Sequence, residues 1–339
     1  MKKLAGLLFF SFSFLFSLAQ SPRVEQLTSG TKTSIRGLSV VTDNVLWASG
    51  SNGMVGTSIN GGKDWKWIQV KGFEKTDFRD IEAFDGATAI IMAIDTPAYI
   101  LRTTDGGASW KVVYENKKPG MFLDAMEFWN SEAGIVIGDP IDGKIFIART
   151  FDGGRSWQEL PERFKPVAEK GEACFAASGT NVRPLDRDEA VFITGGTVSN
   201  VFIRDQKIKL PIVQGKETTG ANSIAVWDNQ KRNGGKKMIV VGGDFSKDSS
   251  SLNNCFYTTD RGKTWKSPTQ PPHGYKSCVE YLTEKALITC GTSGVDYSAD
   301  GGDTWKLLTK DGYHVVRKAK DGKAVYLAGS GGRIAKLVE

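Results

Sequence analysis

Thr103-Thr-Asp105-Gly-Gly107-Ala-Ser-Trp110 is the stretch on which the reading of this chain turns, because its pattern recurs. Ser or Thr opens it, Asp follows two residues on, Gly two further, and Trp three beyond that. Copies stand at Thr150-Phe-Asp152-Gly-Gly154-Arg-Ser-Trp157, Thr258-Thr-Asp260-Arg-Gly262-Lys-Thr-Trp265 and Ser298-Ala-Asp300-Gly-Gly302-Asp-Thr-Trp305. Another, Ser58-Ile-Asn60-Gly-Gly62-Lys-Asp-Trp65, has Asn in place of Asp. These residue types suit a tight turn: Asp accepts backbone N–H bonds within the turn it opens, and Gly takes the positive φ where a hairpin tightens. Trp then folds back and buries a large apolar face. A ring has one active centre, so a motif repeated in this way is structural. Asn60, Asp105, Asp152, Asp260 and Asp300 are assigned to turns, and Trp65, Trp110, Trp157, Trp265 and Trp305 to packing.

The motif resembles the Asp-box, or BNR repeat. Its tryptophans lie 45, 47, 108 and 40 residues apart. The long gap is two periods with one copy decayed, and Val201–Asp205 followed by Lys209–Val213 fits the missing outer hairpin. Periods of this length with four short strands each mean propeller blades. In the first unit the strands read as Ser34–Val41, Val45–Ser49, Met54–Ile59 and Trp65–Val70. After Trp305 three strands remain, Tyr313–Ala319, Ala324–Ala328 and Arg333–Val338, so Arg23–Leu27 is expected to supply the fourth and close the ring. The expectation is an all-β, seven-bladed β-propeller, a single domain over residues 20–339.

The composition agrees. Glycine is abundant at 39 residues, proline modest at 11, and Trp plus Phe number 27, as many short strands with tight turns require. The chain is 40% hydrophobic and 24% charged, with a mean hydropathy of −0.27, a globular balance. His273 and His314 are the only histidines, which excludes a multi-histidine metal site. The net charge of +6 is spread rather than clustered, so no nucleic-acid partner is expected.

Residues 1–19 read as a secretory signal peptide. Lys2 and Lys3 precede the apolar run Leu4–Leu18, which is too short to span a bilayer. Ser17-Leu18-Ala19 offers small residues for cleavage before Gln20, leaving a mature charge of +4. No Cys follows for a lipid anchor, and nothing later is apolar enough to cross a membrane. The mature chain is expected to be secreted or periplasmic, and monomeric.

Within Asp-box propellers, the chain resembles the photosystem II stability/assembly factor family, in its non-photosynthetic bacterial branch. The stretches that carry this are Phe128-Trp129, Gly138-Asp-Pro-Ile-Asp-Gly143, Gly171-Glu-Ala-Cys-Phe-Ala-Ala-Ser-Gly179, Thr194-Gly-Gly196, Val241-Gly-Gly-Asp-Phe245, Pro272-His-Gly-Tyr-Lys-Ser277 and Gly329-Ser-Gly-Gly-Arg-Ile334. The resemblance implies fold and compartment, and hardly constrains activity.

Function should sit where residues do not repeat. In a propeller the loops between second and third strands share a face with the inter-blade loops, around the channel mouth. Arg36, Arg79 and Asp124 occupy aligned inner-strand positions, in Arg36-Gly-Leu38, Arg79-Asp-Ile81 and Asp124-Ala-Met126. With Asp139, Glu172, Asp244 and Tyr275 they are the candidate ligand-binding residues; Asn222, Ser277 and His314 extend the polar ring. Arg36 and Arg79 could grip a carboxylate or phosphate. The expected activity is a binding or assembly module for a protein or a polar or carbohydrate ligand, without assigned catalysis. The alternative is a glycoside hydrolase, sialidase-like or glucan-cleaving, with Asp139, Glu172 and Asp244 as carboxylates. The Arg-Ile-Pro signature of sialidases is missing. Asp139, Asp142 and Asp244 could offer oxygens to Ca²⁺ but lack the spacing of a known loop, and no dinucleotide fingerprint exists. Neither a metal nor another cofactor is expected.

Four cysteines, Cys174, Cys255, Cys278 and Cys290, permit disulfides in an exported chain. Val279–Thr289 reads as a hairpin that sets Cys278 opposite Cys290, the disulfide candidate. Opposed residues have Cβ atoms about 4.5–5.5 Å apart, and a disulfide needs about 3.5–4.5 Å; the bond and a pair of free thiols both remain open.

Overall fold

Ile35–Val40, Leu46–Gly50, Met54–Ser58 and Lys66–Gln69 form one antiparallel sheet in chain order, and this unit repeats around the molecule. Every residue of Leu46–Gly50 is buried, because neighbouring sheets cover both its faces, whereas Lys66–Gln69 is half-exposed at the rim. The computed structural model describes residues 22–186, 188–229 and 234–338; the leader read at 1–19 lies outside them.

Seven such blades complete a β-propeller. Blade 2 opens on Phe78–Ala83, blade 3 on Leu123–Phe128, blade 4 on Val182–Pro184, blade 5 on Thr219–Val226, blade 6 on Cys278–Tyr281 and blade 7 on Val315–Lys318. Blade 7 is completed by the N-terminus. Arg23–Thr28 pairs antiparallel with Ile334–Val338, Arg23 opposite Val338 and Gln26 opposite Ala335. The closure read from the sequence is therefore present.

Blade 4 departs from the expected register. Its outer hairpin pairs Asn200–Ile203 with Gln206–Lys209, not with 209–213. The turn is the two residues Arg204-Asp205, Arg204 taking a φ of 57°. Such a tight hairpin needs no box, which is why the motif is missing there. Blade 5 lacks a full outer strand and keeps only a bridge between Tyr257 and Lys266.

The core lies between blades. Trp110 of blade 2 meets Trp47 of blade 1 edge-on, with ring centroids 6.4 Å apart, and Trp305 of blade 6 packs with Ile239 of blade 5. Each wedges one sheet against the preceding one.

The central channel is not open from end to end. The segment Ala176–Asn181, before the first strand of blade 4, is wholly buried and threads the axis. Ala177 O accepts from Arg36 of blade 1, and Ser178 Oγ donates to Ser277 O beside blade 6. Thr180 Oγ1 donates to Ser223 of blade 5, and Arg317 of blade 7 donates to Ser178 O. Gly179, at φ +68°, lies against the Asp80 carboxylate of blade 2, where a Cβ would stand 2.3 Å from it. Small residues with many backbone partners make this plug, and it separates an upper mouth from a lower chamber.

Candidate functional site

Side chains reach the mouth through bulges. Pairing of the inner strand with its neighbour slips between Ile35 and Gly37, Phe78 and Asp80, Leu123 and Ala125, and Ala221 and Ser223. The residues left over are Arg36, Arg79, Asp124 and Asn222. Blade 7 pairs without a slip, and His314 stands just before its inner strand, its N–H donating to Ala328 O. A bulge re-aims the side chain of the extra residue, so these aligned positions turn toward the axis just above the plug.

The arginines crowd one side. Arg36 Nη1 reaches Ala177 O at 3.2 Å, and burial together with Arg79 lowers its pKa. Arg79 Nε holds Asp77 at 2.8 Å. Burial, then Arg36, Arg79 and Arg333, depress His314 to about 3, so its ring is neutral, with Nε2 2.8 Å from Ser330 Oγ and 3.3 Å from Ser34 Oγ. Tyr275 is buried, its hydroxyl donating to Asn222 Oδ1 at 2.8 Å, and its phenol pKa is raised by burial. Arg333 was not singled out as a site residue, although it closes the Gly-Gly-Arg stretch at the C-terminus; it donates to Gly312 O and lies over the Tyr313 ring.

Acids gather opposite. Asp124 is completely buried, and neither of its carboxylate oxygens makes a hydrogen bond, although the Ala176 and Asp139 amides lie near enough to favour its charge. Burial and the neighbouring Asp139 raise its pKa well above the carboxylate range, against the pull of Arg79. Asp139 is raised to about 6 by burial, while Oδ1 accepts the Cys174 amide at 2.8 Å. The ligating atoms of Asp124, Asp139 and Cys174 lie within 4.8 Å of one another.

Two candidates fall outside this constellation. The Glu172 side chain has no exposure and is bound by Lys207, Thr194, Asn200 and the Glu169 amide. It ties blades 4 and 5 together and is not available to a ligand. Asp244 is occupied by the amide and hydroxyl of Ser246 in its own turn. The Ca²⁺ trio does not assemble either, since Asp142 points to solvent and pairs with Lys118 at 2.8 Å.

Cys278 and Cys290 are directly opposed, as the hairpin reading required, yet all four cysteines are free thiols. Cys278 Sγ lies 3.3 Å from Val316 O and 3.6 Å from Thr180 Oγ1, spending its polarity on neighbours.

The opposite end of the channel was not anticipated. A chamber of about 1160 Å³ opens there among the first turns of the blades. Arg183 bridges Glu127 and Glu280 at 3.2 and 3.0 Å, and Lys320 pairs with Glu82 at 2.6 Å. The apolar-Glu steps Ile81-Glu82, Met126-Glu127 and Val279-Glu280 recur on inner strands and were the signal for it. These charges satisfy one another, which leaves the upper mouth as the candidate site.

Residues 256–267 match the BNR/Asp-box repeat. The chain carries Asp-box repeats on a seven-bladed propeller. Solved structures share this architecture. YCF48 bound to D1 peptide is 17% identical with a TM-score of 0.65, covering 94% of this chain and 96% of its own. YCF48 from Cyanidioschyzon merolae is 16% identical at the same TM-score, covering 93% and 98%. The WD40 propeller domain of Doa1 is 14% identical with a TM-score of 0.62, covering 94% and 97%. No curated protein has a significant match to the chain. At these identities the likeness establishes the Asp-box propeller's fold. Among the described residues no helix is long and apolar enough to cross a membrane.

Proposed function

We propose that this Asp-box propeller is an exported binding or assembly module that takes a partner polypeptide at its upper mouth, with a partner carboxylate against Arg36 and Arg79. The observation that carries this is the set of inner-strand bulges, which converge non-repeating side chains of several blades over a closed floor. Arg333 adds positive potential there, and neutral His314 offers no competing charge. Guanidinium groups recognise carboxylates in a planar, bidentate manner. That a similarly folded YCF48 structure holds a D1 peptide supports a protein ligand over a sugar. A glycosidase is disfavoured because two of its three candidate carboxylates, Glu172 and Asp244, are engaged elsewhere. A panel of peptides with free and with amidated C-termini, measured by fluorescence polarisation, tests this. Free-carboxylate members should bind, and amidation or the double variant R36A/R79A should weaken them at least tenfold, the variant's fold being checked by circular dichroism because Arg36 also holds the plug at Ala177 O. Equal binding by the double variant removes the mouth from consideration. N-terminal sequencing of the exported protein should begin at Gln20.

A further inference from the structure

We propose that Asp124, Asp139 and Cys174 form a zinc site at the edge of the mouth. The three come from different parts of the ring. Asp124 is the bulge residue of blade 3, Asp139 sits at the register break between Gly138 and Pro140 in the second strand of that blade, and Cys174 begins the run into the plug. Their ligating atoms already lie within 4.8 Å of one another. Around a tetrahedral zinc with bonds of about 2.0–2.3 Å, ligand atoms sit roughly 3.5 Å apart, so an ion has to draw these together by only roughly 1 Å.

Asp124 is what turns a cluster into a site. Its side chain has no exposure, and neither oxygen makes a hydrogen bond, although one of them lies within 4.8 Å of ligating atoms of Asp139 and Cys174. Buried carboxylates are ordinarily hydrogen-bonded or paired. Arg79 is close enough to favour its charge, but spends its Nε on Asp77. Of the two amides nearby, that of Asp139 donates to Phe122 O, and that of Ala176 favours the Asp124 charge without reaching hydrogen-bond geometry. A cation bound to the carboxylate supplies the missing partner. Asp139 is meanwhile oriented by the Cys174 amide, so one ligand positions another through the backbone.

The donor set selects the ion. Two carboxylates alone suit Mg²⁺ or Ca²⁺, which want six or more oxygens. A thiolate shifts preference to zinc, for which three protein ligands and one water make a complete shell. Asp139 is partly exposed toward the mouth, which gives the ion an entry path and the fourth position to water. Binding exchanges ions: zinc enters, and the Cys174 thiol proton, with any proton held by the carboxyl pair, leaves to solvent. The residues are 15 and 35 positions apart in sequence, a spacing with no motif to betray it. The inference does not depend on the peptide reading, and shares only the mouth with it.

The test uses metal alone. Purified protein is incubated with Zn²⁺, desalted, and assayed by elemental analysis; about one zinc per chain is expected. C174S and D124N should each weaken retention at least tenfold, while C255S should not. Co²⁺ in place of zinc should give the near-ultraviolet absorption of a cobalt–thiolate bond, lost in C174S. R36A should keep its zinc whether or not it binds peptide, so the two readings fail separately. Wild-type protein that retains no zinc, or a Co²⁺ spectrum without the thiolate band, overturns the proposal. So does retention by C174S and D124N equal to that of the wild type. If either variant does not fold, the cobalt band of the wild type decides alone.

Discussion

At Asn60 the box keeps its geometry with donor and acceptor exchanged. In the Asp copies a carboxylate takes the hydroxyl four residues on, as Asp105 takes Ser109 at 2.6 Å and Asp260 takes Thr264 at 2.6 Å. In the Asn copy the Asn60 amide donates to Asp64 at 2.8 Å, while Asn60 Oδ1 still accepts the Asp64 N–H. The substitution is one half of a matched pair. N60D sets two carboxylates against each other and should lower the melting temperature by about 2 °C, whereas N60D/D64T rebuilds the Asp form and should recover it. Differential scanning fluorimetry of the two variants checks this. His314 gives a pH counterpart. Its folded pKa of about 3 lies below the ordinary 6.5, so between these values the unfolded chain binds the extra proton. Stability from this residue is complete above pH 6.5 and is lost as pH falls toward 3. Asp139, raised to about 6, works in the opposite sense, its contribution fading as pH rises from 3.8 through 6. H314Q should therefore flatten the fall in urea midpoint between pH 7 and pH 5; an unchanged slope removes His314 as its source.

Strands and their joints show what a sequence does and does not declare. The aligned starts Arg36-Gly-Leu38, Arg79-Asp-Ile81 and Asp124-Ala-Met126 located the inner strands correctly, because apolar spacing and turn residues are local signals. That the first residue of each is a bulge could not be read, since a bulge is a property of a strand pair. The same holds for Glu172, whose partners Lys207, Thr194 and Asn200 come from blade 4. The plug carries no local signal: Ala176–Asn181 has neither strand periodicity nor helix signals, and its partners lie on distant blades. Gly179 is its test. Its φ of +68° and the 2.3 Å approach to Asp80 leave no room for a side chain, and Asp80, raised to about 7 by burial, has no alternative seat. G179A should cost about 1–3 kcal/mol in backbone strain before any clash is added. Denaturation in urea that shows no loss means that the plug is not held as described.

The whole ring stands or falls on its seam. Most blades are single stretches of chain, but blade 7 joins residues more than 300 apart, Arg23 facing Val338. Cutting the seam leaves Ile334–Val338 as an edge strand with unpaired N–H and C=O groups, a surface open to other chains. It also strips cover from the blade 7 and blade 1 boundary, where Leu27 and Trp65 pack with Tyr326 and Val325. Both losses fall at one interface, so the expected effect is cooperative. Deleting residues 22–28 from the mature chain should lower the melting temperature by about 10 °C or more and promote association. Adding a synthetic peptide of the same sequence in trans should reverse part of this, because the Ile334–Val338 edge it fills is still formed. The peptide supplies hydrogen bonds and the Leu27 side chain, but not the covalent link that lowers the entropic cost of closure. Rescue should therefore rise with peptide concentration and remain below the intact chain at every concentration. A truncated protein that melts with the intact one, or a scrambled peptide that rescues equally, shows that the ring is held by its blade-to-blade packing and not by the seam.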